Sequence, residues 1–133
     1  MKSTAIRKAA SMAAEGEPVF LTTVGPGGMP HLTTVGAMTP SGEDRLRLTE
    51  WFCPQTVENV TANRRVSLVV WDPAANTGWQ LTGQVDLVEE SAILDGYDPR
   101  LPEPPMPQTL RTLELHVDSA LRFRHGPHSD KEE

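Results

Sequence analysis

The chain has 133 residues, 38% of them apolar, and a formal net charge of −6 from 12 Lys and Arg against 18 Asp and Glu. That size suits a single domain over 1–133 with one core, stable without metal or disulfide, and the lone Cys53 excludes an internal disulfide. The acidic balance makes duplex nucleic acid and an anionic membrane poor partners.

The segment 1–16 carries a helix. From Thr4 to Ala14 the residues are good helix formers, with Ile6, Ala9, Ala10 and Ala13 on one stripe, and Gly16 and Pro18 stop the pattern. The basic start runs into Ala-rich and acidic residues, so no secretory signal is read. No run reaches the roughly 18 apolar residues of a membrane helix, and the cytoplasm is the expected compartment.

Val19 to Val24 is a β-branched, aromatic run of strand length. The turn-rich Gly25 to Pro30 then predicts a hairpin into a second strand, His31 to Met38. Another turn at Thr39 to Gly42 precedes a third strand, Arg45 to Thr49, in which Leu46 and Leu48 share a face. Pro54 and Thr56 open a short helix to Ala62, with the Thr56 hydroxyl as its expected cap.

Val66 to Trp71 reads as a strand buried on both faces, and 72–78 as a loop. From Trp79 to Val88, alternation places Leu81, Val85 and Leu87 with Gly83 on one face and Gln80, Thr82, Gln84 and Asp86 on the other. Gly83 inside a strand predicts a bend or the close approach of another backbone. The Pro-rich segment 98–108 is expected to wrap over the surface, without regular structure.

Leu113, Leu115, Val117, Leu121 and Phe123 then alternate with polar residues, and 125–133 is a polar, untethered tail. Six strands with short flanking helices predict a mainly β fold, a six-stranded antiparallel barrel.

The order of these elements carries a resemblance. Gly28-Met29-Pro30-His31 before a strand, Gln55-Thr56 opening a helix, Asn63-Arg64-Arg65-Val66 closing it, and the strand from Gly78 to Gly83 together resemble the FMN-binding split barrels related to pyridoxamine 5'-phosphate oxidase. The match runs over roughly 17–89. The resemblance implies a six-stranded split barrel that forms a homodimer, with FMN held across the subunit interface. Thr33, Thr34, Val35 and Gly36 would border the flavin ring. Thr49, Glu50 and Trp51 would follow the ring or ribityl chain, with Trp79 and Gln80 contributing from the later strand. Gln55 and Thr56 stand where relatives often place Lys-Thr around the phosphate. Gln55 offers hydrogen bonds without charge, so Arg45, Arg47, Arg64 and Arg65 remain candidates for the compensating cation.

Each of these residues also has an ordinary role. Thr is a favoured strand residue, and Trp51, Trp71 and Trp79 can fill a core or an interface, with Trp79 the leading interface candidate. His31 reads as a surface or packing residue. His125, His128 and Asp130 in a polar tail are not read as a metal site, and Cys53 beside a helix start reads as an inert thiol. No acid, base or nucleophile set is visible. Beside the FMN-dependent oxidoreductase or electron-transfer reading stand a deazaflavin-dependent reductase and a cofactor-free dimeric binding module.

Overall fold

The elements follow in the order α1 (Lys2–Ala14), β1 (Val19–Val24), β2 (Pro30–Thr34), β3 (Ala37–Gly42), β4 (Arg45–Glu50), α2 (Pro54–Ala62), β5 (Arg65–Asp72), β6 (Thr77–Asp95), β7 (Pro107–Phe123) and β8 (Lys131–Glu132). This computed structural model describes residues 2–50, 52, 54–95, 107–126 and 131–132, and the backbone alone for 91–95, 107–109 and 131–132. No helix among the described residues is long and apolar enough to cross a membrane.

All ladders are antiparallel, in the order β2-β1-β5-β6-β7-β4-β3, with β8 added to β7. The barrel expected from the sequence is present, and its second strand is divided. The run from His31 to Met38 breaks at Val35 and Gly36, so β2 pairs only with β1 while β3 pairs only with β4 at the opposite edge. Three peptide links from Thr34 to Ala37 span at most about 11 Å. The two edges are therefore drawn together at that bend, and the sheet must curl into a split barrel.

The sequence placed a turn at Thr39 to Gly42, whereas β3 runs through it and the chain turns at Glu43 and Asp44. Pro40 is tolerated because β3 is an edge strand with one side unpaired. The polar tail is tied in part, since Lys131 and Glu132 pair with Arg122 and Leu121. Pro107 opens β7. Pro107 and Gln108 thus belong to a strand rather than to the irregular segment expected over 98–108, and residues 98–106, together with Cys53, His128 and Asp130, lie outside the described residues.

Inward-facing Leu21, Leu46, Leu48, Leu68, Leu81, Leu113 and Leu115 fill the barrel, each 2% exposed or less. α1 covers it with its expected stripe, burying Ile6, Ala9 and Ala10 together with Ala5. The three alanines have no bulk beyond Cβ and let the helix approach the strands closely. Gly16 ends α1 at φ +99, a left-handed position that favours glycine.

Two of the three bulges in the β6–β7 ladder reset the alternation in the core. Thr82 and Gly83 face Ser119 and Val117, which leaves Asp118 extra on β7; Val85 and Leu87 face Leu115 and Glu114, which leaves Asp86 extra on β6. Each extra residue reverses the faces beyond it. Leu87, expected inside, is therefore 48% exposed while Val88 packs on the core, and Ala120 rather than Leu121 points inward. Phe123 lies on the outer face, stacked on Trp71 with centroids 5.4 Å apart.

Candidate functional site

The bend that joins the two sheet edges also builds a cleft. A space of about 550 Å³ opens beside it, lined by the end of α1 at Ala13, Gly16 and Glu17 and by Thr34, Gly36 and Ala37. Small-molecule sites commonly occupy about 300–1,000 Å³. A Cβ placed on Gly36 would lie 2.7 Å from Glu50 Oε2 and 3.5 Å from the Thr49 carbonyl, and Ala37 pairs with Thr49 in the ladder. The close packing of the bend on the end of β4 therefore brings Thr34, Val35, Gly36, Thr49 and Glu50 together. The Thr49 hydroxyl lies 3.2 Å from that of Thr112.

Other expected residues lie apart from this group. Thr33 and Thr34 are on opposite faces of β2, opposed by Leu21 and Phe20, and of the two Thr34 lines the cleft. Trp79 is 5% exposed within the core, which accounts for its burial without a ligand or partner. Gln80 faces outward, its amide donating to Ser67 Oγ at 3.0 Å. It shares a cross-strand row with Val69, Phe20 and Thr34, three strand spacings or roughly 14 Å along the sheet from Thr34. Trp51 lies outside the described residues.

α2 begins four peptide links after Glu50, within about 14 Å of it. Thr56, expected as the cap, instead lies inside the first turn and is fully buried. Gln55 Nε2 donates to Asn59 Oδ1 at 2.8 Å, and Asn59 Nδ2 donates to Thr23 Oγ1 at 3.0 Å. Asn59 and Thr23 are 2% and 0% exposed. Gly25 leaves room for this relay, because a Cβ there would come within 3.1 Å of Asn59 Oδ1. The sequence reading missed Asn59 and Thr23. The four-residue spacing of Gln55 and Asn59 on one helix face was the available signal.

The four candidate arginines are distributed as follows. Arg45 Nη2 lies 2.8 Å from Asp86 Oδ2, and Arg47 Nε lies 2.6 Å from Glu114 Oε1. Arg64 Nη1 reaches the Asp86 carbonyl at 3.4 Å. Arg65 is exposed on the outer face, beside a smaller pocket lined also by Thr22, Ser67, Thr82 and Asp118. Among the described residues, no Lys or Arg lines the 550 Å³ cleft. The residues present fit the ring and ribityl parts of FMN in volume and in their hydroxyl and backbone lining. The first-turn amides of α2 and the neutral Gln55 could meet a phosphate, but no α2 residue is among the described residues that line the cleft.

The Asp86 and Asp118 bulges aim their carboxylates at one imidazole. His116 Nδ1 donates to Asp86 Oδ1 and Oδ2 at 2.9 and 3.0 Å, and His116 Nε2 lies 3.4 Å from Asp118 Oδ1. The His116 hydrogen bond, followed by the charges of His116 and Arg45, outweighs partial desolvation and holds the Asp86 carboxyl below its ordinary value. A depressed folded pKa stabilises the fold above the unfolded value of about 3.9 and is lost as pH falls through the folded value. Asp86→Asn is expected to lower Tm at pH 7, with the gap to wild type closing below about pH 4 as the wild-type carboxyl is protonated too. A gap unchanged between neutral and acidic pH in thermal melts would refute this linkage.

The fold and the cleft at its edge junction define an antiparallel split-barrel protein with a site sized for a small organic ligand. The chain belongs to the pyridoxamine 5'-phosphate oxidase family, whose profile matches residues 7–122. Among solved structures, a protein related to general stress protein 26 from Clostridium acetobutylicum has a TM-score of 0.64 at 15% identity, over 100% of this chain and 96% of that one. A pyridoxamine 5'-phosphate oxidase-related, FMN-binding protein from Nostoc punctiforme gives 0.62 at 14% identity, over 97% and 87%. An F420 reductase gives 0.54 at 23% identity, over 78% and 88%. At such identities the likeness to these structures concerns the fold. No curated protein sequence matches the chain.

Proposed function

We propose that this protein binds FMN beside the Val35–Gly36 bend and acts as a flavin-dependent oxidoreductase or electron-transfer protein. The observation that carries the reading is the cleft of about 550 Å³ at the edge junction, with Thr34 and Gly36 in its lining and Glu50 packed against Gly36. Family membership supports it. The bound flavin would supply the redox chemistry, accepting and passing on electrons. The chain's own part is to bind and orient: Thr34 offers a hydroxyl, the bend at Gly36 offers close backbone approach, and the α1 end shields one side from water. The start of α2, with Gln55, would meet the phosphate end.

The reading includes a homodimer. The outer face carries the rows Leu32–Thr22–Ser67–Thr82–Ser119 and Thr34–Phe20–Val69–Gln80–Leu121, with Leu32 61% exposed. A second copy pairing on this half-apolar face would bring the partner's edge toward Gln80, which explains how a residue remote from Thr34 could still serve the site.

The purified protein is expected to show flavin absorbance, or to take up FMN saturably at one per chain when titrated. Thr34→Trp, which fills the cleft from an exposed position, should weaken that uptake tenfold or more without lowering Tm. A colourless protein that ignores FMN would overturn the reading. A cofactor-free dimer is the second reading, favoured by the lack of Lys and Arg among the described residues that line the cleft; the same titration separates the two.

A further inference from the structure

A neutral imidazole has one N–H, and the His116 ring lies between two carboxylates. Its Nδ1 meets both oxygens of Asp86 at 2.9 and 3.0 Å, and its Nε2 lies 3.4 Å from Asp118 Oδ1. With both ring protons in place, each carboxylate faces an N–H of a positive ring. Once one proton leaves, one carboxylate faces a nitrogen lone pair instead, and the attraction there is lost.

The surroundings decide which contact goes. Asp86 makes the shorter contacts, its Oδ2 is also held by Arg45 Nη2 at 2.8 Å, and Arg64 Nη1 reaches its backbone carbonyl. The Asp118 side chain is 51% exposed against 33% for Asp86, and His116 is its one ion-pair partner among the described residues. Asp118 is also the extra residue of its bulge, without a ladder partner on β6, β4 or β8. Such a residue can move without breaking a ladder pair. The other charges nearby are engaged elsewhere, Glu114 with Arg47 at 2.6 Å and Asp44 with Lys2 at 3.5 Å. Across the ladders His116 is opposed by Arg45 on β4 and by the uncharged Gln84 on β6.

Asp118 has a second setting as well. It lines the smaller outer-face pocket together with Arg65, Thr22, Ser67 and Thr82. Arg65 makes no side-chain hydrogen bond or ion pair among the described residues.

We infer that His116 is a proton-operated switch: with both ring protons it holds the Asp118 carboxylate, and on losing one it keeps Asp86 and releases Asp118 to the pocket that Arg65 lines. At acid pH His116 compensates the Asp118 charge and the pocket presents a net positive Arg65. At alkaline pH the freed carboxylate offsets Arg65 instead. Thr22, Ser67 and Thr82 belong to the row on which a second copy would dock, so the switch sets the charge that this face presents. It is independent of the flavin reading and needs no ligand.

The test uses the full chain without ligand at about pH 5 and about pH 9, the two sides of the span in which histidines ordinarily titrate. Three-bond NMR couplings should report a single Asp118 side-chain rotamer at the acid end and a different or averaged one at the alkaline end. His116→Gln should abolish that change. Asp118→Asn should lower Tm by about 2 °C at the acid end and by less than half as much at the alkaline end, because the contact counts while His116 carries both protons. That trend runs opposite to the one expected for Asp86→Asn. A merely structural Asp118 would cost the same at both ends. Equal losses, or one Asp118 rotamer throughout, would overturn the switch, and these two measurements decide it even if His116→Gln does not fold.

Discussion

Gly83→Ala should be the most damaging alanine substitution among the described glycines of this protein. A Cβ at Gly83 would lie 1.9 Å from the His116 carbonyl oxygen and 2.9 Å from its carbon, both backbone atoms of the neighbouring strand β7. Backbone in the middle of a seven-stranded path cannot step aside as a side-chain tip can, so β6 and β7 must separate where the Asp118 bulge holds them close. The expected cost is about 3 kcal/mol or more, at the upper end of overpacking. That is a large share of the roughly 5–15 kcal/mol of an ordinary domain. A fall in Tm on the order of 10 °C or more is expected in thermal melts. Gly126→Ala, with open space around the new carbon, is the control and should be nearly neutral. Equal melting of both variants would show that the close approach does not exist in solution.

The second large effect separates two leucines that simple alternation puts on one face. Leu81 is 2% exposed and pairs with Leu68 on β5 and Ala120 on β7, whereas Leu87, beyond the Asp86 bulge, is 48% exposed. Leu81→Ala should cost about 2–5 kcal/mol, through lost burial and the cavity left behind. Leu87→Ala should fall within about 0.5 kcal/mol of wild type. Chemical denaturation reads both, and similar losses from the two variants would place both leucines inside and remove the bulge.

These two leucines also show where the sequence stops being legible. Alternation and helical stripes report which face is apolar while the register is regular, so Ile6, Ala9 and Ala10, or Leu46 and Leu48, were assigned correctly to the interior. A bulge adds one residue with no compositional mark of its own, and Asp86 and Asp118 each look like ordinary outward polar positions. The bend at Val35 and Gly36 was hidden for a similar reason, because the β-branched run passes through Val35 without a turn cluster. The grouping of Thr34, Gly36, Thr49 and Glu50 was suggested by resemblance rather than by any local pattern. Asn59 and Thr23 are 36 positions apart, and no single-chain periodicity connects them.

The division of one extended segment between the two edges of the sheet also shapes how the chain can fold. β1–β2 and β3–β4 are local hairpins that can form early, but the ladders β1–β5 and β4–β7 join segments far apart in sequence. Loop-closure entropy must be met before those distant contacts repay it, which slows barrels of this kind relative to helical bundles of the same length. Until β7 arrives, β4 has no partner on its inner side, and the two hairpins joined through Val35 and Gly36 can swing independently. The last ladder to close therefore governs both the folding rate and the interval during which unpaired strand edges are open to other chains.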